Sequence, residues 1–112
     1  MDIWKDAVNI AETVYKLVAN YPKNEQFGLI SQMSRSSVSI ASNIAEGSSR
    51  TNRAFVNYLS ISLGSSFELE TQLIISKRRG YVGSEDYEDL MSRLDVFQKM
   101  TTGFQNSLSK SI

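Results

Sequence analysis

Apolar residues recur along this chain at steps of three and four, the period of a helix that buries one face. In the first segment Ile3, Ala7, Ile10, Val14 and Leu17 form the stripe, and Trp4, Ala11 and Val18 widen it. Pro22 sets the end of that helix near residue 20, because a residue before proline is pushed out of the α region. A second helix is expected over about 24–46, with Asn24 as N-cap and Glu25 in the first turn. Its apolar positions are Phe27, Ile30, Met33, Ala41, Ile44 and Ala45, with the small Ser34 and Ser37 between them. Gly47 reads as the glycine that closes it.

The third helix is expected over about 51–79, with Thr51 as N-cap and Gly80 as stop. Phe55, Leu59, Ser62, Ser66, Leu69 and Leu73 keep a strict three-four step. Val56, Leu63, Phe67 and Ile74 make a second stripe beside it, so the apolar arc is wider than one bundle seam requires. A helix of that kind, together with Trp4, predicts cover from more than one side and hence an oligomer. The fourth helix runs over about 84–108, with Glu85, Asp86, Glu88 and Asp89 crowding its positive end. Tyr87, Leu90, Met91, Leu94, Phe97, Thr101, Phe104 and Leu108 form its inner face. Short connections suit antiparallel neighbours. The expected fold is all-α, one antiparallel up-down four-helix bundle over residues 1–112.

Composition narrows the chemistry. The chain has no cysteine and no histidine. That removes thiolate nucleophiles, zinc-thiolate sites, the commonest general base and every Ser-His pairing. Glu46, Glu68 and Glu70 are the carboxylates of interest for a di-metal site, but bundles of that type pair glutamates with Glu-x-x-His, which is missing. No cofactor, metal or small-molecule substrate is expected, and no catalytic role. The start Met1-Asp2-Ile3-Trp4-Lys5-Asp6 carries no secretory pattern, and no stretch reaches the length of a membrane span. The default location is the cytoplasm.

Formal net charge is zero, yet the charge is uneven. Arg35 to Arg79 holds six basic and three acidic residues, whereas Glu85 to Asp95 holds five acidic and one basic. A neutral total can therefore hide a basic and an acidic face.

The most unusual stretch runs from Arg35 to Arg53. Arg35, Ser39, Asn43 and Glu46 fall on one helical stripe, and Arg50 and Arg53 follow across a turn. Two readings stand. One is a recognition surface, with arginines for phosphate or carboxylate. The other is a polar stripe that is solvated or faces a subunit. A second polar line, Ser65, Glu68 and Gln72 beside Ser62 and Ser66, is either a register-fixing seam or ordinary exposed polarity. Glu68 comes level with Arg35 if the middle helices are antiparallel. Lys77-Arg78-Arg79 suits either a helix C-terminus or a nucleic-acid contact. Trp4, Tyr15, Tyr21, Tyr58 and Tyr81 read as core or interface anchors.

The stretch Arg35-Ser36-Ser37-Val38-Ser39-Ile40-Ala41-Ser42-Asn43-Ile44-Ala45-Glu46-Gly47 closely resembles the signature of proteins encoded in 23S rRNA intervening sequences, R-x-x-x-S-I-x-x-N-I-A-E-G. Arg50 and Phe55 fill the arginine and the aromatic that follow. Trp4, Tyr21-Pro22, Glu25, Gly64-Ser65, Glu68-Leu69, Gln72-Leu73 and Gly80-Tyr81 match as well. The matching family positions are thus Arg35, Ser39, Asn43, Glu46, Gly47 and Arg50. The resemblance implies a cytoplasmic bacterial four-helix bundle that forms a ring of five subunits. Members are often labelled ribosomal proteins. A similar bundle, the accessory variability protein of diversity-generating retroelements, is a pentameric nucleic-acid binder. That bundle is markedly basic, and this chain is neutral. The expected function is a non-enzymatic homo-oligomer contacting RNA or a ribonucleoprotein through Arg35, Arg50, Arg53, Arg78 and Arg79. The alternative is a protein-interaction scaffold with no nucleic-acid role.

Overall fold

Four helices form where the periodicity places them: α1 (Asp2–Val18), α2 (Leu29–Ser48), α3 (Asn52–Arg78) and α4 (Ser84–Ser109). The computed structural model describes all residues 1–112. Each helix packs on its neighbours in the cycle α1, α2, α3, α4, and the diagonal pairs come no closer than 8 Å between Cα atoms. This is an all-α four-helix bundle about 46 Å long. Ile10 and Val14, Ile40 and Ile44, Leu59 and Leu69, and Leu94 and Phe97 fill its axis and are fully buried. Each such side chain contributes roughly 1.5–3 kcal/mol by leaving water.

The entry to the second helix differs from the sequence expectation. α2 starts at Leu29, not near Asn24. Pro22 is extended (φ −58°, ψ 144°), and Lys23–Glu25 form a short 3-10 turn instead of a first helical turn. Glu25 then acts from a distance, since its Oε1 accepts the free backbone N–H of Leu29 at 3.2 Å. That bond satisfies one of the orphan donors at a helix start. Phe27, expected on the inner face, is 90% exposed on this connection.

Gly47 also departs from expectation. It lies inside α2, is buried, and has a negative φ. The helix continues through it to Ser48, and Gly47 serves packing. A Cβ there would stand 2.6 Å from Tyr58 Cβ and 2.8 Å from Phe55 Cδ1. The missing side chain lets α2 and α3 close tightly just before their turn. Gly80 does stop its helix, with φ 79°. The Tyr81 N–H donates to Ser76 O and the Gly80 N–H to Lys77 O, the paired bonds of a left-handed glycine cap. Thr51 caps α3 as expected, its hydroxyl accepting the Ala54 N–H at 3.2 Å.

The wide apolar arc of α3 is covered in part within the chain. Leu63 is buried, and Val56 and Ile74 are half-buried. Phe67 stays 53% exposed and Trp4 41% exposed. No helix is long and apolar enough to cross a membrane.

Candidate functional site

The two polar lines of the sequence meet along the contact between α2 and α3. Ser36 Oγ donates to Gln72 Oε1 at 2.8 Å. The Ser39 and Ser65 hydroxyls lie 2.8 Å apart. Ser62 Oγ donates to the Ile40 carbonyl at 2.8 Å. Asn43 Nδ2 donates to Ser39 O at 2.8 Å and to Ser39 Oγ at 2.9 Å, which fixes the Ser39 rotamer. Ser36, Ser62, Ser65 and Gln72 are all buried. Serine is short enough to let two helix backbones approach, and each hydroxyl still finds a partner. These bonds tie α3 to α2 at three levels, which fixes the helix register. By contrast, no side-chain hydrogen bond links α1 to another helix, so α1 is held by apolar packing alone.

Glu46 and Arg50 close the seam at the turn. Arg50 Nη2 sits 2.7 Å from Glu46 Oε2, and its guanidinium lies 5.6 Å from the centre of the Tyr58 ring. Both partners are half exposed, so the pair adds little by itself. With Gly47 beneath Tyr58, the stripe Ser39, Asn43, Glu46, Gly47 and Arg50 is occupied by contacts inside one chain.

Arg35 is different. It is exposed at the edge of the seam, and Glu68 across the groove forms no ion pair with it. The two side chains do come level, lining one polar hollow. Arg53 and Arg78 are also exposed and without a carboxylate partner. Arg79 lies 5.9 Å from the centre of the Tyr81 ring. These arginines do not form one patch. Arg53 begins α3 and Arg78 ends it, and a helix of 27 residues is about 40 Å long.

A second cluster sits at the end bearing Arg79. Tyr81 OH donates to Glu25 Oε2 at 2.9 Å, and the Tyr81 ring tilts against Tyr21 at 5.3 Å. The Leu29 N–H, then the Tyr81 hydroxyl, hold the Glu25 carboxyl below its ordinary range. Burial pushes the Tyr21 phenol up. The Ser76 hydroxyl, which donates to Gln72 O, is the polar group beside the buried Tyr21 hydroxyl and opposes that rise. Sequence reasoning placed Glu25 in a helical first turn, and nothing local signalled its reach to Tyr81, 56 residues on.

Rows of apolar side chains remain on the outside. Val8, Ala11 and Tyr15 of α1 with Val38 and Ala41 of α2 line a groove of about 490 Å³. Ile61, Phe67 and Ile75 stand out on α3, and Val96, Met100 and Phe104 on α4. No three acidic side chains come together as a metal-binding group.

The fold is a four-helix bundle whose α2–α3 contact is lined with serines and whose α3–α4 contact is bridged by Gln98 and Gln105. Residues 1–103 match the sequence model of the 23S rRNA-intervening sequence protein family, and the chain belongs to that family. Among solved structures it is similar to a protein of unknown function from the S23 ribosomal protein family of Bacteroides thetaiotaomicron VPI-5482. The two share 25% identity with a TM-score of 0.82, over 92% of this chain and 97% of that one. No curated protein matches the chain.

Proposed function

We propose that this protein works by assembly and binding, as a non-enzymatic homo-oligomer built on helix faces. The observation that carries the reading is the set of apolar side chains left uncovered: Tyr15 with Val38, Phe67 and Ile75 on α3, and Met100 with Val96. Exposed apolar groups on three sides of so small a bundle exceed scattered surface hydrophobes. Copies of the same chain supply matching helix faces, and a ring of five is the expectation the family resemblance carries. Light scattering tests this. A mass several times that of one chain is expected, and a monomer at about 100 μM, a concentration at which even a contact of micromolar Kd is occupied, overturns it.

A second observation favours a nucleic-acid role for the assembled form. Arg35, Arg53 and Arg78 carry no carboxylate partner, so their charge is available to phosphate. Spread along the bundle, they suit a long backbone better than a compact ligand. The reading is contact with RNA or a ribonucleoprotein, cytoplasmic in setting. Affinity for structured RNA should fall with salt, by about 0.7–0.9 log units per tenfold salt for each phosphate contacted. Affinity that is absent, or insensitive to salt, leaves the protein-interaction scaffold as the function.

A further inference from the structure

Charge is shared unevenly between the helices. α4 carries seven charged residues among its 26, whereas Ala54 to Ser76 of α3 holds only Glu68 and Glu70. Glu70 accepts from Gln98 Nε2 at 3.0 Å, which leaves Glu68 as the one free charge on that stretch. α2 has only Arg35 and Glu46, and both lie toward α3, one lining a hollow with Glu68 and the other paired to Arg50 over Tyr58. Its side toward α1 is uncharged. An exposed face depleted of charge is the compositional mark of an interface core.

The two depleted faces also differ in shape. The α1/α2 face is a trough. The groove of about 490 Å³ over Val8, Ala11, Tyr15, Val38 and Ala41 continues at Tyr15 into a hollow of about 380 Å³ against Val18, Ala19 and Ile30. From Val8 to Ala19 it runs about 17 Å at 1.5 Å per residue. The α3 face is a ridge. Ser60, Gly64, Phe67, Thr71 and Ile75 are all exposed and uncharged. They fall within about 80° of arc and span about 22 Å. Phe67, 53% exposed, stands in the middle. The rims match in sign. Glu12, Lys16 and Lys23 give the trough a net positive edge, Glu68 gives the ridge a negative one, and none of the four has an ion-pair partner.

We propose that the α3 ridge of one copy seats in the α1/α2 trough of the next, with Phe67 against Tyr15 and Val38 and with Glu68 against Lys16. The pairing rests on the assembly reading above and names the faces that carry it. Recognition is of the helix-in-groove kind, anchored by one aromatic. A second copy suits the trough better than a disordered peptide, because α3 is already folded and docking carries no cost of forming a helix. Ridge and trough lie on different helices, so each copy gives one face and receives the other, a heterologous contact.

Cross-linking tests the pairing, since the chain has no cysteine and introduced thiols are the only ones present. Val38→Cys and Phe67→Cys combined in one chain and treated with a short bismaleimide should give a ladder of joined copies. Each single variant should give none. A second arm swaps charge. Lys16→Glu and Glu68→Lys should each weaken assembly by about tenfold or more, read from light-scattering mass against concentration, because like charges then meet at the contact. The double variant should restore the parent mass. All four positions are exposed, so circular dichroism should show an intact bundle. An oligomeric parent that gives no ladder, or in which a single variant cross-links as well as the pair, overturns the pairing and leaves assembly through other faces standing. Charge reversal without rescue does the same. A monomeric parent at about 100 μM overturns the assembly reading and this pairing with it.

Discussion

Gly47 and Tyr58 pack so closely that a single methyl group cannot be placed between them. The added Cβ would lie 2.6 Å from Tyr58 Cβ, an atom fixed to the α3 backbone. Gly47→Ala must therefore push the two helices apart. Overpacking of this kind costs about 1–3 kcal/mol, against about 1 kcal/mol that alanine gains over glycine in a helix interior. The net expectation is a loss of stability, seen as a lower midpoint in urea. Gly64 is the control. It lies exposed in α3 with open space around it, so Gly64→Ala should raise stability by about 0.5–1 kcal/mol. Equal effects from the two substitutions would refute the packing role of Gly47.

The Ser36–Gln72 hydrogen bond predicts a measurable coupling. Both residues are buried and each bonds the other across two helices. Ser36→Ala alone leaves Gln72 Oε1 without its donor, at a cost of about 1–3 kcal/mol. Gln72→Leu alone strands the Ser36 hydroxyl, which retains only a weaker bond to Met33 O at 3.3 Å. The double variant removes both unpaired groups, so the two losses should not add. A coupling of about 0.5–1.5 kcal/mol in a double-mutant cycle is expected. Strict additivity would mean the pair is not formed in solution.

Much of the fold was legible from spacing, and the misses share a cause. Phe55, Leu59, Ser62, Ser66, Leu69 and Leu73 are all buried, as their three-four step predicts. Periodicity reports which side of a helix faces inward, and that is decided locally. Gly47 was misread because a glycine after a periodic run looks the same whether it ends a helix or admits a neighbour. Only Tyr58, across the turn, distinguishes the two. Phe27 was misread because the pattern runs on while the backbone does not, since the 3-10 turn after Pro22 delays α2 to Leu29. For the candidate site, both polar lines were legible, and which residue of one meets which of the other was not. Ser36 drew no attention, although it is three residues from both Met33 and Ser39 on the flank that meets α3.

Glu25 makes stability depend on pH at the acid end. The Leu29 N–H and the Tyr81 hydroxyl both bond the ionised carboxylate, so its folded pKa lies below the ordinary 4.5. The unfolded chain then holds the proton more tightly than the folded one. Stability from this group is present in full above the ordinary carboxylate range and is lost as pH falls through the depressed value. Glu25→Gln removes the titration and keeps an acceptor oxygen. Thermal midpoints taken from about pH 6 to about pH 3 should fall less steeply in the variant than in the parent. Parallel curves would show that the Glu25 contacts do not persist in solution.

Assembly through the apolar rows predicts that one charge placed on the right face dissolves the oligomer. Tyr15, Phe67 and Met100 are exposed, one on each of three helices, and none belongs to the buried core. Asp at any of them should cost the single chain little, because the side chain already faces water. In an interface the same Asp would be buried without a partner, which costs several kcal/mol per contact. Tyr15→Asp, Phe67→Asp and Met100→Asp measured by light scattering therefore map the contact, with circular dichroism confirming an intact bundle. A heterologous ring uses two different faces per chain. At least two of the three variants should then fall to monomer mass. If all three keep the parent mass, the rows are not the contact. If a single variant dissociates, that row is one side of the contact, and the parent mass separates a two-fold dimer from a ring.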